Sequence, residues 1–463
     1  MRGHLSIVLA ASTIALSGCE RITPPFTGDT TVVALSLEIV SPPTVIAYPG
    51  EGRANLDVIS DSPSAREEVT PAVTVTGPFT ASWESLRWQL RTLRITSTGV
   101  GSGKVTVSLY GKSVSFDVHS EAVAFKRIAM SSWSAAPQSN PNGCGIALDD
   151  RVWCWGGNDT YQLGAETPRR CSGGACQYGG IYPSASPMRV AVSQTFSQVD
   201  ATTYSCPAFI DRTCGASCAL TTGGEAWCWG EGFGPPTRAA PSVSFASLAL
   251  GGRFPLRTCG IATDARAYCF TSSTLTPVGD GMSFKWLAVG GSSTCGVVTA
   301  GDVWCWGANY YGVLGIGNSD GKAYTAAQRV TTTGTFVSVD PGYYLNCALD
   351  TAGTIHCWGL GFSTDGTAPP PPCEGSATSL CQTVPRAVQG GRAYVAVATA
   401  GSSVGVCGLT SSGGVDCWAS FNKPPVTIAL PEPITTMTRS CGVSAANVMY
   451  CWSPTGTFVR VRG

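Results

Sequence analysis

The sequence predicts an all-β fold, a small β-sandwich followed by a seven-bladed propeller, and three observations carry that expectation. A cysteine is followed ten residues later by another in seven places: Cys144 and Cys154, Cys218 and Cys228, Cys259 and Cys269, Cys295 and Cys305, Cys347 and Cys357, Cys407 and Cys417, Cys441 and Cys451. Gly (56) and Pro (30) are abundant, with Trp, Val and Thr favoured over Met, which is the composition of turns and short strands. Ahead of the first pair, residues 32–120 hold no cysteine and alternate apolar with polar side chains. A unit that recurs at fixed internal spacing decides the architecture before any single residue does.

At 463 residues the chain exceeds one ordinary core, so a small domain plus a repeat array is the natural division. Twenty-nine basic residues balance 29 acidic ones, which leaves no electrostatic footprint for nucleic acid. Of the 21 cysteines, those outside the repeat pairs and Cys19 fall into three close pairs: Cys171 and Cys176, Cys206 and Cys214, Cys373 and Cys381. An even set with local partners fits disulfides in an exported protein. Zinc is the rival reading, but no CxxC knuckle occurs and only His119 and His356 lie beyond the leader, so neither metal nor cofactor is expected.

Residues 1–18 carry Arg2 and His4, an apolar run from Leu5 to Leu16, and then Ser17-Gly18 before Cys19. The run is shorter than the roughly 20 residues that cross a bilayer, so it reads as an export signal. Leu16-Ser17-Gly18-Cys19 resembles the lipobox of bacterial lipoproteins. The resemblance implies that Cys19 becomes the lipidated first residue, followed by Glu20, and that the protein is anchored in the bacterial cell envelope, at the outer membrane or cell surface. Several acyl chains at one terminus anchor stably where one would not. Residues 19–31, with Pro24-Pro25, Gly28 and Asp29, form a tether.

Within residues 32–120 the alternating runs are Val33–Ile39, Ala72–Val75, Leu93–Ile95, Val105–Leu109 and Val114–Val118. Period-two patterning punctuated by Gly and Pro predicts an antiparallel sandwich. Trp83-Glu84-Ser85 and the stretch Gly101–Val107 resemble bacterial immunoglobulin-like domains, with Gly50-Glu51-Gly52 at the early glycine turn. That resemblance implies a spacer. His119 is placed in the linker to the next domain.

Residues 121–463 hold the repeats. Counting from the first cysteine, positions +2 and +8 are apolar, as in Ile146 and Val152 or Val297 and Val303. These share a face with both cysteines, while the aromatic at +9 and the Trp or Phe at +11 point to the other. A sheet covered on both faces is what a propeller blade requires. The cysteines oppose each other across the hairpin, where disulfide geometry is accessible, and each short loop so closed contributes about 2–3 kcal/mol. Ahead of each hairpin lie an aromatic strand (Phe125, Phe196, Phe245, Phe284, Phe336, Tyr394, with Ile434 as the seventh) and a short Pro/Val strand. On that assignment the first repeat lacks its Pro/Val strand and Phe458–Val461 is left over, so the C-terminal strand is expected to complete the first blade and remove open edges.

After two hairpins the chain continues as Trp306-Gly307-Ala308-Asn309-Tyr310-Tyr311-Gly312-Val313-Leu314-Gly315 and as Trp155-Gly156-Gly157-Asn158 through Leu163-Gly164. These segments resemble the repeat of the regulator of chromosome condensation family, which implies a seven-bladed propeller over residues 121–463. The other five copies lack the Asn and Leu-Gly tail. Family members include a nucleotide exchanger on a small GTPase and inhibitors of secreted enzymes, so fold alone does not choose a function.

If strand directions alternate, all long insertions emerge on one side: Ser131–Gly143, Asn158–Ser186, Thr202–Ser217 and Gly361–Val384. The extra cysteine pairs fall there too, which favours a held binding face. Its candidate anchors are Tyr161, Arg169, Arg170, Tyr178, Tyr182, Phe209, Arg212, Tyr310, Tyr311 and Phe362. Nothing points to catalysis: there is no Gly-x-Ser-x-Gly elbow, phosphate loop or acidic metal cluster. His356 occupies a +9 slot, and Asp149, Asp150, Asp264, Asp302 and Asp350 sit in turns that favour Asp. The expected protein is a monomeric, non-enzymatic envelope lipoprotein that binds a protein partner, not nucleic acid. The alternatives are a carbohydrate-binding surface protein, a lyase-like propeller enzyme, and nucleotide exchange on a small GTPase.

Overall fold

The computed structural model describes residues 35–40, 45–48, 51–60, 70–85, 90–109, 112–131, 142–165, 170–172, 175–177, 184–205, 213–252, 256–360, 372–374, 379–390, 392–399, 405–418, 424–453 and 456–461. The leader, Cys19 and the tether lie outside these residues.

The N-terminal module contains β1 (Leu35–Val40), β2 (Val45–Tyr48), β3 (Glu51–Ser60), β4 (Ala72–Val75), β5 (Phe79–Ser85), β6 (Leu90–Ser97), β7 (Gly101–Leu109) and β8 (Lys112–Ala122). They form two four-stranded sheets, ordered β1-β3-β6-β5 and β2-β8-β7-β4. Ala54, Leu56, Phe79, Leu93 and Ile95 of the first sheet meet Val105, Val107 and Val118 of the second in one core. The alternation is visible along β7, where Val105, Val107 and Leu109 are buried and Lys104 is exposed. Two expectations change here. The sandwich is not wholly antiparallel, because β2 runs parallel to β8 in the register Val45↔His119 to Tyr48↔Ala122. The chain passes from one sheet to the other between β1 and β2, so no hairpin reverses β2 against β8. His119 belongs to β8 rather than a linker, with Nδ1 2.9 Å from the Ser102 hydroxyl.

Among the described residues, the chain from Phe125 onward forms seven four-stranded antiparallel units. Unit 1 comprises Phe125–Met130, Gly143–Ala147, Val152–Gly156 and Ser184–Arg189, and unit 2 comprises Phe196–Ser205, Thr213–Thr221, Ala226–Gly230 and Gly234–Ala239. Unit 3 runs from Phe245–Gly251 through Arg257–Ala262 and Arg266–Phe270 into the long strand Leu275–Val289. That strand also opens unit 4, which continues with Ser293–Val298, Val303–Ala308 and Ala323–Arg329. Units 5 to 7 begin at Phe336, Tyr394 and Ile434.

The Pro/Val strand follows its hairpin instead of preceding it, which corrects the expected bookkeeping. Trp153 and Cys154 pair with Arg189 and Met188, so unit 1 is completed by its own Ser184–Arg189. Phe458–Val461 pairs with Met449–Trp452 in the last unit, not with the first. Each unit is therefore one continuous stretch, because a strand leaving the hairpin returns antiparallel beside the strand it has just left. First strands pack on first strands from unit to unit, and Ile434–Thr438 returns to Phe125–Met130. Arg439 Nε donates to the Met130 carbonyl at 3.0 Å across that junction, where Met449 joins Phe125, Trp153 and Trp155 in one apolar cluster.

Each of the seven ten-apart pairs is a disulfide, one per unit. Cys144 is bonded to Cys154, Cys218 to Cys228, Cys259 to Cys269 and Cys295 to Cys305. Cys347 is bonded to Cys357, Cys407 to Cys417 and Cys441 to Cys451. Their Cα–Cα distances run from 3.9 to 4.1 Å. In each the cysteines are direct cross-strand partners. Trp229, Trp358 and Trp418 at the +11 position are fully buried on the opposite face, so both faces of the hairpin are covered.

Candidate binding face

Antiparallel order within each unit places the connection after the first strand and the connection after the third strand on the same edge. The opposite edge carries the short hairpin turns. There Asp149, Asp264 and Asp350 each accept a main-chain N–H two residues on, as turn geometry favours. Asp302 pairs with Arg329 and Asp150 with Lys126. His356 Nε2 lies 2.8 Å from Asp350 Oδ2 and its ring is edge-on to Phe336, which makes it a packed blade residue.

The loop-bearing edge is built partly from strand. In unit 2 the expected insertion Thr202–Ser217 continues the ladder, with Thr202↔Ala216 through Ser205↔Thr213 in register. Tyr204 there hydrogen-bonds Glu231, and burial followed by that bond raises its phenol above the usual range. Arg170–Ser172 and Ala175–Gln177 form a small hairpin with Cys171 opposite Cys176. Cys214 and the pair Cys373–Cys381 are disulfide-bonded. Arg169, Tyr178, Tyr182, Cys206, Phe209, Arg212 and Phe362 lie outside the described residues.

The two Asn/Leu-Gly tails lie on this edge, and each folds by the same rule. Asn158 Oδ1 accepts from Leu163 N at 3.0 Å, and Asn309 Oδ1 accepts from Leu314 N at 3.1 Å. Both asparagines and both leucines are buried. The glycine that ends each tail has positive φ and touches the next unit's indole: Gly164 against Trp229 and Gly315 against Trp358. Tyr161 holds φ 69°, where unit 4 places Gly312 at 74°, and Tyr311 holds φ 58°. A tyrosine in the left-handed region is unusual and carries local strain.

Around the unit 4 tail the structure assembles an aromatic platform. Tyr310 is 53% exposed. The Tyr311 ring meets Tyr344 edge-on at 4.9 Å, and Tyr344 meets Tyr343 at 4.0 Å. Unit 5's disulfide-closed insertion is tied to the same platform, since Glu374 N donates to Ser319 Oγ at 2.8 Å and Gly317 N to Thr383 O at 3.0 Å. Beneath it, Asp320 accepts from Tyr324, Asn309 and Lys322 N. Burial alone would raise its carboxyl, and these bonds hold it below the ordinary range instead. Of the expected anchors, Tyr310 and Tyr311 come together, whereas Tyr161 sits apart on the equivalent tail of unit 1. Tyr343 and Tyr344 were not singled out from the sequence. Their signal was there: Gly342-Tyr343 stands where units 3 and 4 place Gly251-Gly252 and Gly290-Gly291, so Tyr343 replaces a glycine and Tyr344 follows it.

A second group lies where first strands converge. Asp200 Oδ2 accepts from Leu250 N at 2.8 Å in the next unit, and Asp340 Oδ2 from Thr399 N at 2.6 Å. Burial pushes the Asp200 carboxyl up to about 6, and it raises Asp340 as well. Among the described residues, no group of three or more His, Cys, Asp or Glu is placed to hold a metal ion, and no helix is long and apolar enough to cross a membrane.

Fold and face together define a disulfide-stapled β-propeller of the RCC1 type carrying its long connections on one edge. No family's sequence profile matches the chain, and no curated protein does so. Among solved structures, Prp20p from Saccharomyces cerevisiae, a yeast RCC1, is similar with a TM-score of 0.51 at 16% identity, covering 67% of this chain and 79% of that one. Human WBSCR16 is similar with a TM-score of 0.52 at 14% identity, covering 72% and 88%. The Prp20p structure was described together with its binding to Gsp1p and histones. At these identities the likeness is one of fold.

Proposed function

We propose that this chain is a non-enzymatic, protein-binding scaffold of the bacterial cell envelope: a closed seven-bladed propeller raised above the membrane by an immunoglobulin-like spacer and anchored through a lipidated Cys19. The observation that carries the reading is the gathering on one edge of the long connections, one of them closed by Cys373–Cys381, and of the Tyr311, Tyr344 and Tyr343 ring cluster next to the exposed Tyr310. Tyrosines supply large contact area at low entropic cost and are enriched among binding hot spots. Prp20p, which binds Gsp1p and histones, gives a precedent for protein recognition on this fold. The disulfide array supports an oxidising location.

Crosslinking and affinity capture from native membranes, comparing wild type with a double variant carrying Tyr310→Ala and Tyr344→Ala, tests the reading. A partner captured by wild type and lost by the variant supports it, and identical capture profiles overturn it. The exposed ring of Tyr310 supports carbohydrate binding as the second reading, and saturable binding on a glycan array with the same variant dependence would favour it.

A further inference from the structure

Where a tail is present, it covers three places on the unit that follows: the Trp at +11 and the residues one and three places before the first cysteine. In unit 2 the Gln162 carbonyl accepts from Trp229 Nε1 and Ser217 Oγ, and Thr160 Oγ1 donates to the Gly215 carbonyl at 2.9 Å. In unit 5 the Val313 carbonyl accepts from Trp358 Nε1 and Asn346 Nδ2, and the Tyr311 ring meets Tyr344. Unit 4 turns the same three places, Trp306, Thr294 and Ser292, toward unit 3, which has no tail. Thr294 and Trp306 are direct cross-strand partners, as Ser217 and Trp229 are, so they share that face.

Nothing in unit 3 answers them. Thr294 is fully buried and its Oγ1 has no hydrogen-bond partner, nor has Ser292 Oγ. Trp306 Nε1 has none among the described residues, and its side chain is 8% exposed where Trp229 and Trp358 are at 0%. The connection that would carry a tail is only the exposed turn Thr271–Thr274, closed by Thr271 N on the Thr274 carbonyl at 3.0 Å. One side chain of unit 3 reaches across. Arg257 Nη1 donates to the Ser292 carbonyl at 3.1 Å, the bond that Thr160 makes to Gly215 in unit 2, and it stands beside Gly307, the residue after Trp306. Its Nε and Nη2 have no partner among the described residues, and no carboxylate there pairs with it. A half-buried guanidinium next to two idle hydroxyls and an idle indole N–H is a costly arrangement unless an acceptor arrives. The equivalent places hold seven residues of chain in units 1 and 4, Asn158–Gly164 and Asn309–Gly315.

We propose that the notch between units 3 and 4 binds an extended acidic segment of a partner protein, laid where the tail is missing. One main-chain carbonyl of the segment accepts from Trp306 Nε1 and Thr294 Oγ1, as the Gln162 and Val313 carbonyls do in units 2 and 5. A Glu or Asp side chain two residues earlier meets Arg257 and Ser292 Oγ, because Thr160 and Tyr311 stand two residues before Gln162 and Val313. The unspent guanidinium nitrogens then pair with a carboxylate, the acceptor that matches them best. The notch lies apart from the tyrosine platform at units 4 and 5, and a synthetic segment tests it without the native partner. Its failure therefore leaves the platform reading standing.

Calorimetric titration of the full chain with two peptides decides the matter. Both have the sequence of residues 158–164 and blocked ends; one carries Thr160→Glu and the other Thr160→Gln. Saturable binding of the Glu peptide is expected, about tenfold tighter than that of the Gln peptide, as one charge-assisted pair gives. Arg257→Gln in the protein should erase that difference. Thr294→Val removes a hydroxyl that has no partner, so it should keep the urea midpoint while weakening the Glu peptide about fivefold. A merely structural threonine would lower the midpoint instead. The variant carrying Tyr310→Ala and Tyr344→Ala should bind the Glu peptide as wild type does. If Arg257→Gln does not fold, Thr294→Val decides alone. No saturable binding of the Glu peptide up to about 1 mM, equal affinity for the two peptides, or affinity unchanged in Arg257→Gln overturns the proposal.

Discussion

Trp358 Nε1 donates to the carbonyl of Val313 at 2.8 Å, so the indole of one unit pins the tail of the unit before it. Trp229 does the same to Gln162 at 2.9 Å. A polar residue just before the first cysteine adds a second bond to the same carbonyl: Asn346 Nδ2 to Val313 at 2.6 Å and Ser217 Oγ to Gln162 at 3.2 Å. Tails occur only in units 1 and 4, and a carboxylate four residues after the residue that leads the first strand occurs only in units 2 and 5. The array thus carries a three-unit echo, with unit 7 outside it.

Replacing Trp358 by Phe removes the buried indole donor and strands the Val313 carbonyl with Asn346 alone. The expected loss is about 1 kcal/mol. Gly315→Ala should cost about 1–3 kcal/mol, because the residue sits at φ 68° and the added Cβ falls 2.9 Å from both Trp358 and Val330. Urea denaturation at constant m-value reads both. Wild-type midpoints in the two variants would show that the tail is not fastened as described.

The seven cross-strand disulfides act chiefly on the unfolded chain. Opening Cys295–Cys305 by substituting Ser at both positions should destabilise the array by about 2–3 kcal/mol, since the closed loop is short. Mass spectrometry without reduction should find no free thiol among the ten-apart pairs. Alkylation of those thiols in the native protein would contradict the pairing.

Acid should strengthen the array before it weakens it. The Asp200 carboxyl is raised from 3.8 to about 6, chiefly by burial, so the folded state binds a proton more tightly than the unfolded chain. Its contribution is fully present below the ordinary carboxylate value and is lost as pH rises through about 6. Asp340 shifts in the same direction. Asp416 shifts the other way: burial opposes its ionisation, but bonds from Arg392, Thr427 and Tyr394 outweigh that and hold it low, so its contribution is lost only in stronger acid. Urea midpoints should therefore be higher at pH 5 than at pH 7.5. The Asp200 share of that difference is about 1.4 kcal/mol, since only part of the shift from 3.8 to about 6 is traversed, and Asp200→Asn should reduce the difference by that amount. A midpoint that rises with pH across this range would refute the assignment.

The hairpins were legible because each pairs two cysteines at one spacing, and the alternation around them says which face each residue takes. Strand pairing was not. The short Pro/Val strand looks the same whether it closes the hairpin before it or opens the one after it, and only Trp153↔Arg189 and Cys451↔Val459 decide. The site was half legible: Tyr310 and Tyr311 announce themselves beside a tail motif, but Tyr343 and Tyr344 join them only because units 4 and 5 abut. Asp200 and Asp340 were hidden for a different reason. Their significance rests on alanine filling the same slot elsewhere, and that slot becomes visible only when the first strands are aligned.

The strand order makes the last prediction sharp. Phe458 lies against Tyr450 with ring centroids 6.1 Å apart, and Val461 pairs with Met449. Deleting residues 458–463 therefore strips the outer strand from unit 7 and leaves unit 1 with all four of its own. Hydrogen exchange should speed up along Met449–Trp452, which loses its ladder partner, while Val152–Gly156 keeps its protection behind Ser184–Arg189. A C-terminal strand that closed the first blade would give the opposite result, with exchange rising along Val152–Gly156. The junction between first and last units should survive the deletion, because it is made by Arg439 on Met130 and by Met449 among Phe125, Trp153 and Trp155, none of which is removed.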